Sequence, residues 1–333
     1  MKALVVEKPY TASVKEVPYP KPGADEVTIK VENIGICGTD IHIFQGEFLS
    51  PYPIIPGHEF SGTIYEVGEN VQDFEIGERV TADPSLFCGH CEFCLTNRGN
   101  QCENWGAIGN TVDGSMAEYV KVPSGNVVTI PDAMSFGEAA FIEPMACVVH
   151  GMNRLNLQVG NKVILFGAGA MGQQLIQSIK MAGASELVVV DLSQDKLDMA
   201  FEWGATKGVL SENIQSELRD YSNGFDVVID ATGIPKVIEQ AFQYMGKTAT
   251  YLQFGVTPKE ATVPLDTFKL YNDDWTILGT MAINHTFLPA FEWVKNGRID
   301  LKHIISKEIS LEETIDFLKG PRNPDDLKVQ IKL

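Results

Sequence analysis

Two textures of hydrophobic patterning divide the chain. Through its first third, short Val- and Ile-rich runs such as residues 27–31 and 62–67 alternate with Gly and Pro, the pattern of a compact, largely antiparallel β domain with no helix of any length. From about Gly160 an apolar run at 163–166 enters a glycine-rich turn, a helical pattern follows over 173–182, and a second apolar run covers 187–190. Strand, helix, strand is a βαβ unit, and further runs at 227–230, 248–254 and 276–278 continue the alternation. These predict an α/β chain with a doubly wound parallel sheet. Beyond Met281 the pattern gives one helix over 287–295, then short strand-like pieces ending at 328–333 that match the first texture. The tail is therefore expected to rejoin the first domain, so that residues 1–147 and 284–333 form one domain and 148–283 an insertion within it.

The turn between the first two apolar runs holds Gly167, Gly169 and Gly172, with Met171 among them, in a GxGxxG arrangement. Alone the triplet is weak. Placed between a strand and a helix it acquires roles: Gly167 for the tight turn, Gly169 for close approach of a pyrophosphate, Gly172 for close packing of helix on strand. The helix N-terminus offers free N–H groups to the anion. Asp191 closes the second strand, where a carboxylate accepts hydrogen bonds from ribose hydroxyls and repels a 2′-phosphate. NAD is thus expected ahead of NADP, although Lys196 leaves the second open.

Six cysteines invite a disulfide reading, but four of them, Cys88, Cys91, Cys94 and Cys102, fall within one segment at gaps of two, two and seven residues. Four thiolates so spaced can close a tetrahedral shell around zinc, a saturated and hence structural site within a lobe of about residues 84–104. An iron–sulfur cluster is the rival occupant. A second set is mixed. Cys37 lies in the run Gly35–Ile36–Cys37–Gly38–Thr39–Asp40–Ile41–His42, and His58 and Glu59 follow Pro56–Gly57. Sulfur, nitrogen and oxygen donors on separate loops suit a catalytic zinc with one open position. Singly, each has a bland alternative as a packing cysteine or ordinary histidine. Glu143, flanked by Phe141, Ile142 and Met145, is an acid in an apolar context and a candidate further ligand, direct or through water.

Taken together these stretches resemble the zinc-dependent medium-chain dehydrogenases, in particular their sorbitol/polyol, arabitol-phosphate and threonine dehydrogenase branch, over essentially the whole chain. The resemblance implies a GroES-like catalytic domain with an inserted Rossmann domain. It implies that Cys37, His58 and Glu59 bind or attend a catalytic zinc, with Glu143 where the alcohol dehydrogenase branch has a cysteine, and that Cys147 merely packs. It further implies that Thr39 takes the alcohol proton and His42 delivers it outward. Zinc would lower an alcohol pKa from its usual high value to about neutral, and hydride would pass to NAD. His42 could equally be a surface histidine, and His90, His150, His285 and His303 carry no role from sequence. Sorbitol dehydrogenases have an Arg-Tyr pair in the segment corresponding to 279–286. This chain has Met281, Ala282, Ile283 and Asn284 instead, which weakens sorbitol and puts arabitol-like polyols and their phosphates first, with butanediol and threonine as alternatives.

Charge and composition narrow the rest. With 333 residues, 44% hydrophobic, the chain can bury an ample core. A formal charge of −18 repels nucleic acid and anionic membranes. No apolar stretch suits a membrane span and the N-terminal residues read as a strand, so a cytoplasmic protein is expected, as a homodimer or homotetramer by resemblance. The same fold also serves zinc-free quinone reductases and non-enzymatic crystallins, a reading that retention of Cys37, His58 and Glu59 argues against.

Overall fold

The computed structural model describes residues 1–48, 50–321, 323 and 325–333. They fall into two compact units, Met1–Ala146 with Ile283–Leu333, and Cys147–Ala282.

The first unit is built on strand Glu26–Gly35, the hub of a seven-stranded sheet. On one side of it lie Glu59–Val67, Arg79–Ala82 and Val127–Thr129; on the other, Lys328–Lys332 and then Ile305–Ile309; Tyr119–Pro123 also pairs with it. Pairing is antiparallel except between Ile305–Ile309 and Lys328–Lys332. Through the register Gln330↔Gly35 and Ile331↔Ile34, the tail strand pairs with Glu26–Gly35. Leu4, Ile29, Ile34, Phe60, Ile64, Val80 and Ile331 are among the side chains packed beneath the sheet. Each such burial stabilises the fold by about 1.5–3 kcal/mol. Gly62 is required where Glu26–Gly35 and Glu59–Val67 cross, since a Cβ there would stand 2.0 Å from the Lys30 carbonyl oxygen.

The second unit carries a six-stranded parallel sheet. Its order from edge to edge is Lys207–Leu210, Glu186–Asp191, Lys162–Phe166, Phe225–Asp230, Met245–Gln253 and Thr276–Gly279. The order reverses direction at Lys162–Phe166, the switch point where doubly wound sheets bind ligands. The central strands, such as Leu187–Val190, are buried on both faces, as their unbroken apolar runs require.

Among the described residues, three helices of seven residues or more depart from the sequence expectation. Gly38–Gln45 lies in the stretch read as helix-free, Ile142–Leu155 where only a crossing was read, and Glu313–Lys319 among the strand-like tail pieces. Gly38, Thr39 and Asp40 are poor helix formers, so the first has little local signature; burial of Ile43 and Phe44 and a reciprocal cap at Cys37 and Asp40 hold it.

Candidate functional site

The mixed donor set is assembled by strand pairing. Gly35 lies opposite Glu59 in the antiparallel ladder. The loop leaving the end of one strand and the loop entering the other therefore meet, the first carrying Cys37 and the second His58. Gly57 makes the second loop possible with a φ of +98°. One donor atom each from Cys37, His58 and Glu59 lies within 4.8 Å of the others, with His58 and Glu59 buried and Cys37 partly so. A thiol, an imidazole and a carboxylate this close fit a divalent metal of the zinc type.

Two residues that sequence reasoning did not single out hold this trio. Asp40 is wholly buried. Its Oδ2 accepts the Cys37 N–H at 2.8 Å, its Oδ1 accepts the Gly57 N–H at 3.2 Å, and the same Oδ1 lies 3.6 Å from His58 Nδ1. It thus ties both donor loops together, in the manner of a carboxylate behind a metal-ligating histidine. Lys328, from the returning tail strand, donates to Glu59 Oε1 at 2.6 Å and also touches Oε2. Gly35 leaves room for that pair, because a Cβ there would stand 2.0 Å from Glu59 Oε2. The only signal for Asp40 was its place in the Cys37 motif, and Lys328 gave none, since its partner is remote in sequence.

The electrostatics follow from burial and these neighbours. Burial opposes charge on His58, yet Asp40 and Cys37 outweigh it and hold the imidazole pKa well above its usual value. Burial likewise opposes the Lys328 charge, and Glu59, Cys37 and Glu143 together keep it raised. Glu143, in the first turn of Ile142–Leu155, does not join the trio within the same distance. Burial pushes its carboxyl up to about 7, with His58 pulling it back and Glu59 adding to the rise. Thr39 Oγ1 stands 3.7 Å from Cys37 Sγ, and His42, about one-third exposed, lies 2.7 Å from Glu47 through Nδ1.

In the lobe, the sulfurs of Cys88, Cys91, Cys94 and Cys102 all lie within 4.8 Å of one another, with Cys88–Cys94 and Cys91–Cys102 at 3.9 Å. None of the six cysteines is in a disulfide. Backbone N–H groups of His90 and Cys91 lower the Cys88 pKa and those of Cys94 and Glu103 lower that of Cys91, while burial raises Cys94. Amides aimed at sulfur favour thiolates, the form that binds metal. The segment that replaces the Arg-Tyr pair leans on this lobe: Asn284 Nδ2 donates to the Asn97 carbonyl at 3.1 Å and the His285 ring packs edge-on to Phe87.

In the other unit, Gly167 takes a φ of +100° directly after strand Lys162–Phe166, and Gly169 caps helix Ala170–Met181. A Cβ on Gly172 would stand 2.1 Å from the Gly167 carbonyl oxygen, whereas one on Gly169 would meet nothing within 4 Å. Met171 sits partly exposed on the first helical turn, with Gln174 Nε2 3.6 Å from its sulfur. Asp191 Oδ2 accepts the Ala168 N–H at 2.7 Å and Oδ1 the Ser193 N–H at 3.0 Å, so the acid that closes the second strand also braces the glycine turn. Asp230, unremarked in the sequence except as the end of an apolar run, is fully buried and accepts from Thr232 Oγ1, the Gly233 N–H and Gln253 Nε2 at 2.6, 2.9 and 2.9 Å.

A phosphate-ready turn on a parallel sheet and a buried sulfur–nitrogen–oxygen cluster, carried by one chain, define a metal-dependent dehydrogenase as its class. Residues 23–132 match the model of the alcohol dehydrogenase GroES-like domain and residues 170–296 that of the zinc-binding dehydrogenases. D-arabinitol dehydrogenase 1 of Uromyces fabae is 33% identical, covering 100% of this chain and 97% of that protein. D-arabitol-phosphate dehydrogenase of Enterococcus avium is 31% identical over 95% and 92%. Among solved structures, a zinc-binding dehydrogenase from Sinorhizobium meliloti 1021 bound to NADP superposes with a TM-score of 0.96 at 33% identity, covering 100% and 99% of the two chains. The chain belongs to the zinc-dependent medium-chain dehydrogenase family and is a zinc-containing alcohol dehydrogenase that uses NAD or NADP.

Proposed function

We propose that the enzyme oxidises a secondary hydroxyl of a polyol or polyol phosphate of the arabitol kind to the ketose, with NAD as the hydride acceptor. The observation that supports the reading is the Cys37–His58–Glu59 cluster within 4.8 Å, a donor set that fits a Lewis-acid metal, in a chain whose relatives include arabitol and arabitol-phosphate dehydrogenases. Cys37 and His58 hold the zinc, with Glu59 or Glu143 as the oxygen donor; Cys88, Cys91, Cys94 and Cys102 hold a second, structural one. When bound, the catalytic zinc supplies Lewis acidity that makes a neighbouring hydroxyl acidic near neutral pH. Thr39 accepts the departing proton and His42 carries it outward. Gly167, Gly169, Met171 and Gly172 receive the dinucleotide. Asp191 accepts from the ribose hydroxyls with the lone pairs its two amide contacts leave free, and its charge favours NAD over NADP.

Rates of cofactor reduction across polyols, their phosphates, butanediol and threonine test the reading. Fastest turnover on an arabitol-like polyol or its phosphate is expected; activity confined to primary alcohols overturns it. Parallel assays with NAD and NADP test the cofactor preference. We also infer a cytoplasmic homodimer or homotetramer, checked by light scattering and cell fractionation; no helix among the described residues is long and apolar enough to cross a membrane.

A further inference from the structure

Helix Gly38–Gln45 ends in a Schellman-type turn. Gly46 takes a φ of +82°, its N–H reaches the Ile43 carbonyl at 3.1 Å, and the Glu47 N–H returns to the His42 carbonyl at 2.8 Å. Gly46 is fixed twice over, because a Cβ there would also stand 2.6 Å from Pro9 Cγ. Such turns bring the side chains at their two ends together, usually as an apolar pair. Here the pair is an imidazole and a carboxylate: Glu47 Oε2 lies 2.7 Å from His42 Nδ1, with the side chains 54% and 34% exposed. A hydrogen-bonded pair this open contributes little to stability. Its chemical effect is definite, however. An ionised carboxylate only accepts, so Nδ1 carries the hydrogen, and in the neutral ring Nε2 presents a lone pair.

We propose that Glu47 is a positioning residue for proton exit, holding His42 in the tautomer whose Nε2 can take a proton from the Thr39 side. The inference rests on His42 being the relay proposed above. In the step itself an N–H bond forms at Nε2 as the Thr39 Oγ1–H bond breaks, and that oxygen takes the substrate proton in its place. The imidazolium, its Nδ1–H still donated to Glu47, then loses the Nε2 proton to water as that N–H bond breaks. No electrons change hands, and Glu47 accepts the hydrogen bond throughout without being consumed.

Two measurements on the full-length zinc-loaded enzyme decide it. In ¹⁵N-histidine NMR, with His42 assigned from the spectrum of His42→Gln, the wild type shows the Nδ1–H tautomer and Glu47→Ala shifts toward Nε2–H. A wild-type His42 in the Nε2–H tautomer overturns the proposal. In steady-state kinetics with NAD and D-arabitol, or the fastest polyol of the scan, Glu47→Ala lowers kcat about tenfold with KM within about twofold. The double variant Glu47→Ala/His42→Gln is no slower than His42→Gln alone, because a residue acting through His42 has nothing left to act on. If His42→Gln slows turnover while Glu47→Ala changes nothing, or adds its loss independently, the inference about Glu47 fails and the relay stands. If His42→Gln itself turns over at the wild-type rate, the relay reading fails and takes this inference with it.

Discussion

Lys328 Nζ donates to Glu59 Oε1 at 2.6 Å with both side chains almost wholly removed from water, their exposures being 6% and 1%. A charge so buried depends on its counter-charge. In the zinc-free protein, Lys328→Met leaves the Glu59 carboxylate without its ammonium partner and is expected to destabilise the fold by about 3–5 kcal/mol. The double variant Lys328→Met/Glu59→Gln recovers part of that loss, because neither charge is then buried. Urea melts of the four forms of this cycle check both statements; a Lys328→Met variant as stable as wild type would show that the pair carries no such constraint.

The two cysteine-containing clusters are expected to part company under mutation. Cys37→Ser lowers zinc content from about two to about one per chain and kcat/KM by about a thousandfold, with little change in melting temperature. Cys102→Ser also lowers zinc to about one per chain, but its first effect is on stability and on protease resistance near residues 84–104. Metal analysis alongside thermal melts separates the outcomes. Two zinc ions retained in Cys37→Ser would remove the proposed catalytic site.

Gly169 and Gly172 share a motif but differ in what a methyl group would meet: open space at the first, the Gly167 carbonyl oxygen at 2.1 Å at the second. Gly172→Ala therefore forces the turn apart and lowers the melting temperature of the protein without cofactor. Gly169→Ala leaves that temperature within about one degree and instead weakens NADH binding by about tenfold or more, since its added methyl faces the path of the pyrophosphate. Melting curves and NADH fluorescence titrations test the contrast, and equal loss of stability in both variants would refute it.

His150 supplies a pH dependence. Burial pulls its pKa below the ordinary 6.5, overriding the Ala282 carbonyl that accepts its Nδ1–H at 2.8 Å. As pH falls below about 6.5 the unfolded chain takes up a proton that the folded chain refuses, so unfolding gains. The contribution of His150 is thus fully present above that value and is lost as pH falls towards the lower folded pKa. Stability measured between pH 7.5 and 5.5 should fall less steeply for His150→Gln than for wild type; identical slopes would exclude the effect.

Much of this was legible in the chain beforehand, for identifiable reasons. The parallel sheet announced itself because strands buried on both faces must be apolar throughout, as residues 163–166 and 187–190 are. Cys88, Cys91, Cys94 and Cys102 were readable because the four sulfurs that converge come from one short segment. Cys37 and His58 needed two separated motifs to be read jointly. Asp40, Lys328 and Glu47 escaped because their importance lies in partners and not in type. Asp40 acts on backbone amides of two loops, Lys328 meets an acid 269 positions away, and Glu47 matters only once a turn folds it back on His42. Helix Gly38–Gln45 escaped because its formation rests on capping and burial that local propensity does not reveal.

The position of strand Lys328–Lys332 between Ile305–Ile309 and Glu26–Gly35 also orders events during synthesis. The dinucleotide sheet, all of whose strands lie between residues 162 and 279, has every partner at hand while later residues are still being made. The sheet that presents Cys37 and His58 cannot close until residues 328–332 have been made. A chain cut short before Lys328 should therefore retain nucleotide affinity and have lost its chemistry, a separation that limited digestion removing residues 328–332 would reproduce on the finished enzyme.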